Sequence, residues 1–116
     1  MILRHLLRSK IHRATVTDAN VDYVGSITID RELIERAALE PGELVHVWNV
    51  DNGQRFETYV MEGERGSGTI CVNGAVAHRV QVGHRVIVTA FALADEPVEP
   101  HLVLVDDRNQ IGRAHV

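Results

Sequence analysis

The stretch Leu44-Val45-His46-Val47-Trp48-Asn49-Val50-Asp51-Asn52-Gly53-Gln54-Arg55-Phe56-Glu57-Thr58-Tyr59-Val60-Met61 decides the fold class. Residues 44–50 are rich in β-branched and aromatic side chains and partly alternate between apolar and polar, which suits a pleated strand. Asp51-Asn52-Gly53 follows, and an Asn-Gly pair tolerates the positive φ angles of a type I′ hairpin turn. Residues 54–61 are then the return strand.

The same signals recur on both sides of this hairpin. Residues 14–17, 26–29, 69–72, 85–93 and 102–106 have strand character. Between them stand tight turns at Gly63, Gly66-Ser67-Gly68, Asn73-Gly74 and Gly83. One helix is expected after Asp30, which can cap it. Leu33, Ile34, Ala37 and Ala38 give it an apolar stripe, and Pro41-Gly42 stops it. Residues 94–100, with Pro97 and Pro100, read as an exposed loop before the last strand. Many short strands with one or two short helices predict a mainly β chain closed into a small barrel, an arrangement that leaves no sheet edge open.

Composition narrows the function. The 116 residues suit a single domain, and 45% hydrophobic content is too high for a disordered chain. Net charge is −4 with both signs interspersed and aromatics at 4%, so no basic or stacking surface for nucleic acid is expected. No apolar run reaches membrane-spanning length, and the charged start Met1-Ile2-Leu3-Arg4-His5 does not read as a signal peptide. A cytoplasmic protein is expected. Cys71 stands alone, so it forms no intramolecular disulfide and reads as a small buried hydrophobe. The histidines at 5, 12, 46, 78, 84, 101 and 115 lack the close pairing of a metal motif, and no metal is expected. Gly66-Ser67-Gly68 lacks the Lys and Ser/Thr that end a phosphate loop, and no Gly-x-Ser-x-Gly elbow occurs.

What carries chemistry is an ordered set of segments. These are Lys10-Ile11-His12-Arg13, Tyr23-Val24-Gly25-Ser26, and Trp48-Asn49-Val50 with Asn52-Gly53. Arg55, Thr58-Tyr59, Glu64-Arg65-Gly66-Ser67 and Val72-Asn73-Gly74-Ala75 follow. In this order and spacing, over about residues 1–93, the chain resembles the pyruvoyl-dependent aspartate 1-decarboxylases of pantothenate synthesis. The resemblance implies a double-psi β-barrel, a homotetramer and active sites at subunit interfaces. It implies an inactive precursor that cuts itself between Gly25 and Ser26 into a β chain, 1–25, and an α chain, 26–116. Ser26 then becomes a pyruvoyl group, and the mature enzyme converts L-aspartate to β-alanine and CO₂.

The residue types suit that chemistry. A serine hydroxyl is a weak nucleophile, so attack on the preceding carbonyl requires a held geometry, and glycine at 25 accepts strained dihedrals. Decarboxylation leaves a carbanion that no ordinary side chain delocalises. A Schiff base to the pyruvoyl ketone supplies the electron sink that pyridoxal phosphate supplies elsewhere, so no pyridoxal phosphate is expected.

By the same resemblance, Lys10 and Arg55 bind the dicarboxylate substrate and Tyr59 reprotonates the carbanion. Thr58 assists cleavage at the Gly25 carbonyl and also contacts substrate. Asn73, Gly74 and Ala75 contact substrate, the last two through backbone amides, and Tyr23, His12 and Trp48 support the site. Val76 stands where the family commonly has alanine. On a regular strand Thr58 and Tyr59 point to opposite faces, a conflict that shared subunits or an irregular strand end resolves. The residues leave open spontaneous or partner-assisted maturation. Two other readings compete: a decarboxylase of a related acidic amino acid, and a non-catalytic barrel that only binds.

Overall fold

A computed structural model describes residues 1–112. Among these described residues eight strands occur in the order β1 (Arg4–Thr15), β2 (Asp18–Asn20), β3 (Ser26–Asp30), β4 (Leu44–Asn49), β5 (Arg55–Gly63), β6 (Ile70–Asn73), β7 (Arg85–Ala94) and β8 (His101–Leu104). Helix α1 (Arg31–Arg36) follows β3, and a 3-10 helix (Ala75–Arg79) follows β6. In space the strands run β2-β6-β3-β5-β4-β7-β1-β8. The sheet closes through residues 16 and 17, where the Val16 amide donates to His84 O and the Thr17 amide to Ile70 O, each at 2.8 Å.

The topology follows from which faces are apolar. Ile11, Ile27, Ile29, Val45, Val47, Val60, Ile70, Val72, Val86 and Val88 are all buried and alternate along their strands with residues facing outward. β2 and β3 are consecutive in the chain yet flank β6, pairing with it on either side. The loop of residues 21–25 that joins them must therefore pass over the end of β6. This psi-shaped crossing positions everything that follows.

Asp30 caps α1 as expected, its carboxylate accepting from the Glu32 amide. The same carboxylate accepts from the amides of Gly66 and Gly68, pinning the turn before β6. Leu33, Ile34 and Ala37 are buried, but Ala38 departs from the expected stripe. It lies beyond the helix end with φ +56° and is exposed.

Other elements also differ from expectation. β1 begins ten residues before Ala14. Its register against β7 shifts between Leu7 and Ser9 and again between Ile11 and Ala14, with Arg13 at φ +60°. Such bulges break the period of two that marks a strand in sequence. β2 has no β-branched residue and exists because β6 offers a parallel edge. The turn after β4 is not type I′: only Gly53 takes positive φ, at +75°. Asn49 Oδ1 and Asn52 Oδ1 each accept the amide two residues on, and Gly53 N–H closes onto Asn49 O.

Candidate active site

Ser26 opens β3 where the crossing loop ends, and it is 1% exposed. Its hydroxyl donates to Val24 O at 3.0 Å and accepts from Asn73 Nδ2 at 3.0 Å. Ser26 and Asn73 are register partners across β3 and β6, as are Thr28 and Cys71. Asn73 Nδ2 also donates to Thr28 Oγ1 at 3.1 Å, and the Cys71 thiol donates to Asn73 Oδ1 at 3.2 Å. Four polar side chains thus share the sheet face opposite Ile27, Ile29, Ile70 and Val72. Cys71 is not the buried hydrophobe expected, because alternation along β6 turns Ile70 and Val72 inward and the thiol outward. Burial, then the nearby Asp18 carboxylate, pushes the thiol's pKa up and keeps it a proton donor.

The backbone freedom of glycine, expected to matter at Gly25, is used at Gly74. Gly25 is absent from the positive-φ residues, and a Cβ built on it meets nothing within 4 Å. Gly74 has φ +85°, and a Cβ there would stand 2.6 Å from Gly25 Cα and 2.9 Å from Gly25 N. The crossing loop lies against the end of β6 only because position 74 has no side chain. The Gly74 amide donates to Asn20 O at 2.8 Å, so it is engaged within the chain and not presented to a carboxylate. Ala75 is exposed at the start of the 3-10 helix, and Val76 packs against the core. Tyr23 lies on the crossing loop, half exposed.

β5 separates Thr58 from Tyr59 as alternation requires. Thr58 is buried on the Phe56 and Val60 side, and among the described residues no hydrogen bond joins it to Gly25 or Ser26. Tyr59 is 56% exposed on the outer side, next to Val60, which is the parallel partner of Ile27. Arg55 shares that outer side and lies over the Trp48 ring, 4.5 Å from its centroid, a cation–π contact. Lys10 and His12 flank buried Ile11 and so face outward from β1. The register runs Lys10 to Thr89, Thr89 to His46 and His46 to Glu57, so Lys10 stands three strand spacings, about 14 Å of backbone, from β5.

Among the described residues, His12 Nδ1 is buried without a hydrogen-bond partner. Burial first, then the positive charges of Lys10 and Arg13, holds its pKa below the ordinary histidine value. Two adjoining cavities, of about 640 and 310 Å³, open on the outer side of β4, β5 and β7. The first is lined by His5, Glu43, Leu44, His46, Phe91 and Leu93, and the second includes Trp48 and Arg55. Neither is lined by Ser26. Among the described residues no group of three His, Cys, Asp or Glu side chains could hold a metal ion; His115 lies outside them.

With this geometry in view, comparison with known proteins is decisive. The sequence model described as aspartate decarboxylase matches residues 2–112. The chain belongs to the aspartate decarboxylase family. It is 57% identical over 114 residues to aspartate 1-decarboxylase from Caldicellulosiruptor saccharolyticus, an alignment covering 95% of this chain and 89% of that one. It is 54% identical to the Wolinella succinogenes protein of the same name, covering 91% of each chain. Identity to that of Burkholderia cenocepacia is 50%, covering 97% and 94%. A rationally designed DPBB (double-psi β-barrel) protein superposes with a TM-score of 0.50 at 18% identity, covering 66% of this chain and 90% of that one. The double-psi barrel and the enzyme class, an aspartate decarboxylase, both stand as the sequence resemblance implied. Thr28 was not legible as a site residue, since only the register of β3 on β6 brings it to Asn73. Cys71, two residues before Asn73 on β6, carried a local signal in that alternation that its reading as a buried hydrophobe passed over.

Proposed function

We propose that the chain matures by cutting itself between Gly25 and Ser26, giving 1–25 and 26–116, and that the matured assembly decarboxylates L-aspartate to β-alanine for pantothenate synthesis. The observation that carries this reading is the hold on the Ser26 hydroxyl by Asn73 and Val24 O, on a loop forced over the end of β6. In the cut, Ser26 Oγ bonds to the Gly25 carbonyl carbon, the C–N bond breaks, and the hydroxyl proton ends on the freed nitrogen. Loss of the Ser26 Cα proton then expels the Gly25 carboxylate. The dehydroalanine left behind takes up water and releases ammonia, leaving pyruvoyl at the new terminus.

A pyruvoyl carbonyl at 26 supplies the electron sink that loss of CO₂ requires. The surrounding residues bind and move protons. A cation clamped on the departing carboxylate would stabilise the ground state as well, which does nothing for rate. Arg55 or Lys10 therefore holds the side-chain carboxylate. Tyr59, whose phenol hydroxyl stands on the outer side of β5, returns a proton to the substrate carbon.

One copy of the chain does not gather these groups. Lys10 and Arg55 face outward from one side of the barrel, whereas Ser26 is sealed beneath its loop. Val21, Tyr23 and Val24 on that loop and Leu44, Tyr59, Met61, Phe91 and Leu93 on the outer sheet are exposed apolar surface, which a second copy would cover. The site is accordingly shared between subunits of a homotetramer in the cytoplasm. No helix among the described residues is long and apolar enough to cross a membrane.

Intact mass under denaturing conditions tests maturation: fragments 1–25 and pyruvoyl-ended 26–116 are expected, and a chain left uncut in the presence of cell extract overturns it. Mixing inactive Ser26→Ala and Arg55→Ala chains during refolding tests the shared site. Recovery of activity is expected, and none is expected if each chain completes its own site. A large rate preference for glutamate over aspartate would overturn the substrate.

A further inference from the structure

We infer that Thr28 and Cys71 are positioning residues for the self-cleavage, bracketing the Asn73 amide so that its NH₂ end, not its oxygen, meets Ser26. The inference rests on the cleavage reading above. Neither residue touches the scissile bond; both act through Asn73.

An asparagine amide is nearly symmetric in shape but opposite in chemistry at its two ends. Turned over, Asn73 would present its oxygen to Ser26 and Thr28. That oxygen would compete with Val24 O for the Ser26 hydroxyl hydrogen and repel the charge that Oγ gains during attack. In the orientation present, one amide hydrogen meets Ser26 Oγ at 3.0 Å and the other meets Thr28 Oγ1 at 3.1 Å. An N–H on Oγ stabilises negative charge there as the proton leaves for the scissile nitrogen, while the resting hydrogen bond from the hydroxyl to Val24 O fixes the direction of Oγ.

The choice of orientation is made by the neighbours. Cys71 offers a thiol hydrogen to Asn73 Oδ1 at 3.2 Å, which a turned-over NH₂ would lose. Its pKa is raised by burial and by Asp18, so the donor persists at neutral pH. Thr28 occupies the second amide hydrogen and stops the side chain rotating about its last bond. The pairing is built into the sheet, because Thr28 is the register partner of Cys71 and Ser26 that of Asn73.

The test is the first-order rate at which freshly purified precursor yields 26–116, followed by intact mass. Thr28→Val keeps volume and Cys71→Val adds a little, and both remove the hydrogen-bonding group; each is expected to cut on the order of tenfold more slowly, about 1.4 kcal/mol of activation barrier. Thr28→Ser and Cys71→Ser restore the group and should cut at near the unsubstituted rate, with melting temperatures of all four precursors close together. Valine variants that cut at the unsubstituted rate would overturn the inference. So would serine variants as slow as the valine ones, since size and not hydrogen bonding would then be responsible. An unsubstituted chain that never cuts overturns the parent reading instead, which the same experiment distinguishes.

Discussion

A Cβ on Gly74 would stand 2.6 Å from the Cα of Gly25, so the residue that shapes the scissile loop lies on a different strand end, forty-nine positions (74 − 25) along the chain. Gly74→Ala must both enter the left-handed region, at roughly 1–2 kcal/mol, and displace the loop. It is expected to lower the melting temperature and slow cleavage more than tenfold. Gly25→Ala meets open space and should melt within a degree or two of the unsubstituted chain, a shift of about 0.5 kcal/mol at most. Thermal denaturation and intact mass of the two variants check both statements.

Tyr59→Phe removes only a hydroxyl from a half-exposed outer position. Cleavage should proceed as before. Turnover of aspartate should fall by about a hundredfold or more, the usual consequence of losing a positioned proton donor. Steady-state kinetics on the fully cut variant measures this, and unchanged kcat removes Tyr59 from the mechanism.

His12 makes stability depend on pH. Its native pKa lies below the unfolded value because of burial and the charges of Lys10 and Arg13, so the unfolded chain takes up the proton first as pH falls. Its contribution is complete above the ordinary histidine pKa of about 6.5 and is lost progressively below it, down through the lowered native value. Nδ1 sharpens this, since a protonated ring would carry a buried N–H with no acceptor among the described residues. Melting temperature between pH 7.5 and 5 should therefore fall more steeply for the unsubstituted chain than for His12→Gln. Parallel curves would refute the assignment.

Asn109 gives the segment after β8 a structural role. Its buried side chain accepts from the Thr15 amide at 2.7 Å and donates to Thr15 O and Gly68 O, each at 2.8 Å. It joins the end of β1 to the turn before β6. Asn109→Ala leaves the Thr15 amide without this partner and should cost on the order of 2 kcal/mol, lowering the melting temperature by about 10 °C. A shift of a degree or less would mean that the seam holds without it.

Much of the barrel was legible because apolar alternation marks strands facing a core, as in residues 44–50 and 85–93. The long β1 was not, because two bulges destroy its period, and β2 was not, because Asp18-Ala19-Asn20 has no intrinsic reason to extend. Within the site, the Gly25-Ser26 pair and the outward Arg55 and Tyr59 could be named from their ordered segments. Freedom for strained dihedrals was expected at Gly25, and a presented amide at Gly74 followed from the resemblance; the structure puts the positive φ at Gly74 and engages its amide with Asn20 O.

The sequence by itself determined which side chains are present, the alternation of the regular strands such as residues 44–50 and the family to which the ordered segments belong, because those depend on local periodicity and motif. Only the tertiary structure decided that β6 lies between β2 and β3. That crossing presses Gly74 against Gly25, lays Asn73 on Ser26 and brings Thr28 and Cys71 to the Asn73 amide. Apart from the Cys71–Asn73 pair, which neighbour each other along β6, these contacts join residues more than forty positions apart, and no local pattern specifies a hydrogen bond that exists only after strands pair.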